Sequence, residues 1–425
     1  MTARPPFVLD VSRLVSRIGT GPLTGIDRVE AEWLGHLQGK PHLLLCRVRR
    51  GQALLPPAAG PAILRWISGD MTGLPSRAGW RDRLARRNTA PARAEAALRR
   101  MATTVAPASG RGIEAAARAS LTDDAVYLNV GHSNLSRDLL ANLADLRPAV
   151  MIHDTIPLDH PEFTRQGQSE RFRNRLIAAL SLSSTIIAIS EATADRIALW
   201  RGRLAVTARP KIVTAHIGTR LSAADPAAVP PEIDLQHPLF VTLGTIEPRK
   251  NHTLLLEVWD RLSESLPAGQ VPRLLIVGRR GWENRQVFER LDRLPAGGPI
   301  TELSGLGDAA VAAILERSHA LLMPSLAEGF GLPLTEAAGR GIAILCTDLP
   351  STRELLGDYP TYLPADSPAK WVEQVTALAA QGPLRKTPLA SRSWERHFRQ
   401  IEQAVMPEHD EKQDLVVEGG NSTGI

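Results

Sequence analysis

Cysteine is scarce in this chain: Cys46 and Cys346 are the two among 425 residues. Each lies inside an apolar run, at 43–46 and 344–346, so both read as small buried hydrophobes. That excludes a disulfide framework and a cysteine-ligated zinc site, and a reducing compartment fits best. No run of about 18 apolar residues occurs, which leaves no candidate for a membrane-spanning helix. The N-terminus has no charged segment followed by an apolar one, so no signal peptide is read there and a cytoplasmic location is expected. Asp-x-Asp and grouped His or Cys are missing, so no metal site and no cofactor is expected. Gly-x-Gly-x-x-Gly is missing too. Aromatic residues make up 4%, and without a recognised binding motif nucleic acid is not expected as a partner.

What is present suits a water-soluble α/β protein. Hydrophobic residues make up 43% and charged residues 22%, and the length allows two domains of roughly 200 residues. The net charge of +5 permits attraction to anionic substrates or to an anionic membrane surface. Short apolar runs at 7–11, 42–48, 125–131, 149–154, 185–190 and 212–218 read as strands, and helical periodicity separates most of them. Residues 12–24 read as a glycine-punctuated loop, followed by a helix from Ile26 to Leu37. Pro226, Pro230, Pro231 and Pro238 then break the pattern, and a second series opens with strands at 239–244, 273–278, 300–304, 320–323 and 342–345. The expectation is two doubly wound, Rossmann-like sheets facing one cleft. The boundaries are a first domain at 1–222, a linker at 223–238, a second domain at 239–385, a closing helix at 386–406 and a disordered tail at 407–425. Within the first domain, residues 64–119 read as a basic helical insertion in which arginines from Arg77 to Arg100 crowd beside Trp66 and Trp80. Such a surface could dock on anionic lipid head groups.

Three stretches carry chemistry. After the strand at 320–323, Glu328 enters a turn made of Gly329, Phe330 and Gly331, and Leu332-Pro333 opens a helix that contains Glu336. The Gly329–Leu332 amides and the positive helix end suit an anion, and Glu328 and Glu336 suit hydroxyl donors, so a phosphate joined to sugars meets both demands. In the string Gly244-Thr-Ile-Glu-Pro-Arg249-Lys250-Asn, two cations stand just before a helix N-terminus, which is unfavourable unless an anion sits between them. His153 ends a strand of an open α/β sheet, where ligands sit. The glycine loop before Ile26 makes Gly25 a further phosphate-facing position, with Thr24 beside it.

Glu328-Gly-Phe-Gly-Leu-Pro with a second Glu eight positions on, His153-Asp-Thr-Ile-Pro, and Gly-Thr-x-Glu-Pro-Arg-Lys-Asn together resemble the signatures of retaining glycosyltransferase family 4, the glycosyl transferases group 1 of GT-B fold. The resemblance covers roughly residues 7–400 and is densest in the second half. It implies transfer of a sugar from a GDP- or UDP-linked donor, with retention and without metal, to a saccharide acceptor carried on a membrane lipid in bacterial surface-polysaccharide synthesis. It assigns Arg249 and Lys250 to the donor diphosphate, Glu336 to the ribose and Glu328 to the hydroxyls of the transferred sugar. It also places Gly25 at the pyrophosphate, the backbone near Leu306 at the base, and His153 across the cleft by the reacting carbon. Family members often carry an arginine soon after the strand where Thr245 stands here. The partners implied are therefore a nucleotide sugar, a saccharide or lipid-linked acceptor and the inner face of the cell membrane. A GT-B epimerase or phosphorylase, and a non-catalytic scaffold of a polysaccharide-assembly complex, are the rival readings.

Overall fold

The computed structural model describes residues 5–79, 88–235 and 237–406. Its first sheet has eight strands: β1 Phe7–Asp10, β2 His42–Val48, β3 Gly51–Leu55, β4 Thr104–Ala106, β5 Val126–Asn129, β6 Ala149–Ile152, β7 Thr185–Ala188 and β8 Lys211–Thr214. The spatial order is β4-β3-β2-β1-β5-β6-β7-β8. Six of these strands run parallel, while β3 and β4 pair antiparallel at one edge. The second sheet is β9 Leu239–Leu243, β10 Arg273–Val277, β11 Ile300–Leu303, β12 Ala320–Met323, β13 Ile344–Cys346 and β14 Thr361–Tyr362. It is parallel throughout, in the order β11-β10-β9-β12-β13-β14. Both sheets are buried on two faces, which is why their strands read as unbroken apolar runs.

Residues 12–24 are only in part the loop expected from sequence, which holds for 18–24. Ser12–Arg17 is a short helix, started by the Asp10 carboxylate, which accepts from the Ser12 N–H at 2.9 Å. Leu14 and Val15 point into the core while Arg13 and Arg17 reach Asp27. Nor is 64–119 a separate insertion, because β4 completes the sheet edge and the helix Ala90–Met101 buries Ala94, Ala97 and Leu98. Trp66 is core, 2% exposed, and its indole donates to the Thr72 carbonyl. Trp80 and Arg81 to Arg87 lie outside the described residues, as does the tail from 407. Arg77, Arg99 and Arg100 are exposed.

The closing helix Trp394–Ala404 lies against Gly25–Leu37 of the first domain. His397 joins the two: its Nε2 accepts from the Trp33 indole at 3.1 Å, and its Nδ1 donates to the carbonyls of Ala215 and His216. One apolar cluster therefore runs from Trp33 through Ile217 and Trp394 to Phe330 and Leu334. The carboxyl ends of β1, β6 and β7 face those of β9, β10 and β12 across a cleft of about 560 Å³.

Candidate functional site

The turn that follows β12 forms one wall of this cleft. Gly331 takes φ +87°, a left-handed conformation that favours glycine, and the helix Leu332–Gly339 starts directly after it. Gly329 lies against the other domain: a Cβ there would be 2.5 Å from the His153 carbonyl oxygen and 3.0 Å from Cβ of Asp154. Two further contacts hold the turn, as Ser190 Oγ donates to the Gly329 carbonyl at 3.3 Å and Ser351 Oγ donates to the Glu328 carbonyl at 2.9 Å.

Glu328 is the acceptor for a buried group of donors. Arg249 reaches one carboxylate oxygen at 2.9 Å, while Lys250 and the Ser325 hydroxyl (2.7 Å) meet the other. Burial raises the Glu328 carboxyl, but Lys250 and Arg249 outweigh it and hold the group at about 2. Arg249 also pairs with Glu247 at 2.6 Å. Lys250 is lowered by burial, with Glu328 opposing, and Glu247 is raised by burial. The local geometry follows from the chain. Pro248–Lys250 is a 3-10 turn, Asn251 takes φ +53°, and the helix His252–Ser265 begins after it. The two cations thus stand at a helix N-terminus as expected, but Glu328 and Glu247 supply the anions that sequence reasoning sought in a ligand.

Glu336 lies one helix face away and accepts from Arg28 of the first domain at 2.9 Å. Arg28 also bridges to Asp308. Burial raises the Glu336 carboxyl and Arg28 opposes the rise. His153 is buried; its Nε2 donates to the Val130 carbonyl at 2.7 Å, and burial pulls the ring down to about 4. It is therefore a neutral imidazole at physiological pH. Its backbone N–H donates to His132 Nε2 at 3.4 Å, which aims the 153 carbonyl at Gly329.

All the residues named from sequence line this cleft: Gly25, His153, Arg249, Lys250, Leu306, Glu328, Gly329, Phe330, Gly331, Leu332 and Glu336. Thr24 caps the helix that Gly25 opens, exchanging hydrogen bonds with Asp27, and Gly25 faces Leu332 Cδ1 across the gap. Sequence reasoning missed Arg13, Arg28, Asp154, Glu247 and Arg279. Arg279 follows β10 at the mouth of the cleft and packs on Gly21. Among the described residues it makes no ion pair within 4 Å, so it is a cation available to a ligand where Thr245 offers none. Its position in the loop after a parallel strand was the available signal. Among the described residues no group of three or more His, Cys, Asp or Glu is arranged to hold a metal ion, and no helix is long and apolar enough to cross a membrane.

Residues 227–388 match the family model described as Glycosyl transferases group 1. A serotype-specific mannosyltransferase WbdA of Escherichia coli is 28% identical over 279 residues, which are 61% of this chain and 34% of that protein. An O-antigen chain mannosyltransferase B of Escherichia coli is 32% identical over 116 residues, 27% of this chain and 30% of that one. The chain thus spans about a third of the length of the curated relatives it matches. Among solved structures, HepE of Anabaena in complex with UDP-glucose superposes with a TM-score of 0.60 at 12% identity, covering 94% of this chain and 98% of that one. The architecture is accordingly GT-B, two Rossmann-like domains across a cleft, and its second domain carries the sequence pattern of Glycosyl transferases group 1.

Proposed function

We propose that this chain is a retaining, metal-independent glycosyltransferase. In this reading it moves a sugar from a GDP- or UDP-linked donor to a saccharide acceptor, lipid-linked, during polysaccharide synthesis at the inner face of the membrane. The observation that carries the proposal is the junction at Gly329, where a cationic helix N-terminus and the His153 backbone meet at one turn between the domains.

In this reading the donor diphosphate lies along the Gly329–Leu332 amides, with Arg249, Lys250 and Arg279 offsetting its charge. Glu336 takes the ribose hydroxyls, exchanging Arg28 for them. Glu328, ionised and held by two cations, orients hydroxyls of the transferred sugar and does not attack. The acceptor oxygen bonds to the anomeric carbon on the face from which the diphosphate departs. As the bond from carbon to diphosphate oxygen breaks, a leaving phosphate oxygen takes the acceptor's proton, so the configuration is kept. The His153 carbonyl faces the positive charge that develops on the ring. Mannosyl donors come first, because both relatives are mannosyltransferases.

Calorimetry and thermal shift against GDP, UDP and their mannose and glucose conjugates, with EDTA present, test the donor site. One nucleotide should bind, and Glu336→Ala should weaken it by about tenfold, the worth of a charge-assisted hydrogen bond. Failure of every nucleotide to bind would remove the transferase reading. Nucleoside diphosphate release that needs no acceptor would point to the epimerase or phosphorylase reading instead.

A further inference from the structure

Beside the donor cleft, on the first-domain side, lies a group of arginines that the reaction above does not use. The Arg47 backbone N–H donates to Ser12 Oγ at 2.7 Å, which holds the Arg47 backbone against the residue that precedes Arg13. A Cβ at Gly131 would be 3.1 Å from Arg13 Cβ, so His132 follows directly beside Arg13. The Arg175 guanidinium donates to the His132 carbonyl at 3.4 Å. Arg171 stands one turn before Arg175 on the helix Gln168–Leu182. Three elements, β2, the start of the helix after β1 and the 168–182 helix, thus bring four arginines to one place. The His132 ring is 5.2 Å, centre to centre, from that of His153, which lines the cleft.

One of these four charges has its counter-charge within the protein, with the Glu30 carboxylate also beside Gly131. Arg13 pairs with Asp27 at 2.7 Å. Among the described residues, Arg47, Arg171 and Arg175 make no ion pair within 4 Å. Although Arg175 is exposed, its guanidinium is partly desolvated against the His132 carbonyl and is lowered by that and then by Arg47, Arg171 and Arg13. Exposed arginines gathered without a counter-charge raise the local positive potential and attract an anion. A guanidinium presents a planar fork of donors that suits phosphate oxygens.

We propose that Arg47, Arg171 and Arg175, with Arg13 beside them, hold a phosphate or diphosphate ester carried by the acceptor. This site deepens the transferase reading and rests on it. It differs in place from the donor diphosphate site at Arg249 and Lys250, and it gives the acceptor a charged handle next to the reacting centre.

The probe is inorganic pyrophosphate, titrated calorimetrically into the full chain already saturated with the nucleotide it binds. Pyrophosphate should bind, and R171A/R175A should weaken it by about tenfold or more, with nucleotide affinity unchanged. R171K/R175K keeps the charge and should retain most of the binding. Both pairs sit on an exposed helix face, so folding is not at stake. If pyrophosphate ignores the nucleotide-loaded protein, or binds R171A/R175A as tightly as wild type, the site is overturned. Should no nucleotide bind, the transferase reading fails separately and the titration is repeated on the unliganded chain beside R249A. Weakening in R171A/R175A but not in R249A keeps the arginine site, and the reverse pattern removes it. The source of the phosphate is decided by comparing a soluble hexose 1-phosphate with a prenyl diphosphate in detergent. Loss of either in R171A/R175A supports the site, and binding of both that survives the substitution overturns it.

Discussion

Glu328 is worth more to the fold than its own two oxygens suggest. It neutralises Arg249 and Lys250, both drawn out of solvent at a helix N-terminus. Glu328→Gln leaves Lys250 without its counter-charge and Arg249 with Glu247 alone, and breaking such a buried pair costs about 3 kcal/mol. A fall in thermal midpoint should follow, and adding Lys250→Met should restore part of it. Additive losses in that double-mutant cycle would show that the two side chains do not depend on each other. Protonation adds a second residue-level prediction. His153, His252 and His397 are each pulled by burial from 6.5 to about 4. The unfolded chain therefore binds protons that the folded chain refuses, so stability is complete above pH 6.5 and declines as pH falls toward 4. Glu328, depressed from 4.5 to about 2, adds a loss that sets in lower, below pH 4.5 and through pH 2. A thermal midpoint that stays flat from pH 7 to pH 5 would contradict the histidine assignment.

At the scale of elements, the glycine turn between β12 and the helix Leu332–Gly339 decides whether the domains can meet. Gly329→Ala places a methyl group against the His153 carbonyl, an overpacking of about 1–3 kcal/mol taken up by the domains moving apart. Nucleotide binding should fall less than transfer, since the substitution keeps the residue 329 N–H that faces the diphosphate, while transfer should fall sharply. Equal loss of both activities would locate the damage in the turn itself. This turn was legible in the sequence because strand, glycine and proline signals are local. The helix Ser12–Arg17 was not, because six residues carry too little periodicity and its start rests on Asp10 and its buried face on the sheet. Strands β3 and β4 escaped for a related reason, since an antiparallel edge hairpin depends on pairing with β2 rather than on its own apolar run.

Across the whole molecule, polar latches set the width of the cleft. Arg28 reaches over to Glu336 and Asp308, and Glu354 accepts from the Glu191 and Ala192 N–H groups (2.7 and 3.0 Å) and from His216 at 2.5 Å. A side chain of the second domain thus caps a helix of the first. Glu354→Ala should cost about 1–2 kcal/mol, the worth of a lost cap, and should raise the radius of gyration in X-ray scattering. An unchanged scattering profile would mean that the apolar seam through Trp394 and Phe330 closes the cleft unaided.

By itself the sequence determined the alternation of strands and helices, the break near residue 230 and the motifs at 153, 249–250 and 328–336. Periodicity, proline and glycine are local properties and need no partner to be read. The tertiary structure decided which charges face one another. It paired Arg249 and Lys250 with Glu328, drew Arg28 onto Glu336 and left Arg279 uncommitted at the cleft mouth. It also gathered Arg13, Arg47, Arg171 and Arg175 from segments as far apart as 162 positions along the chain. Electrostatic contacts depend on distance in space, and only the closed fold sets that distance.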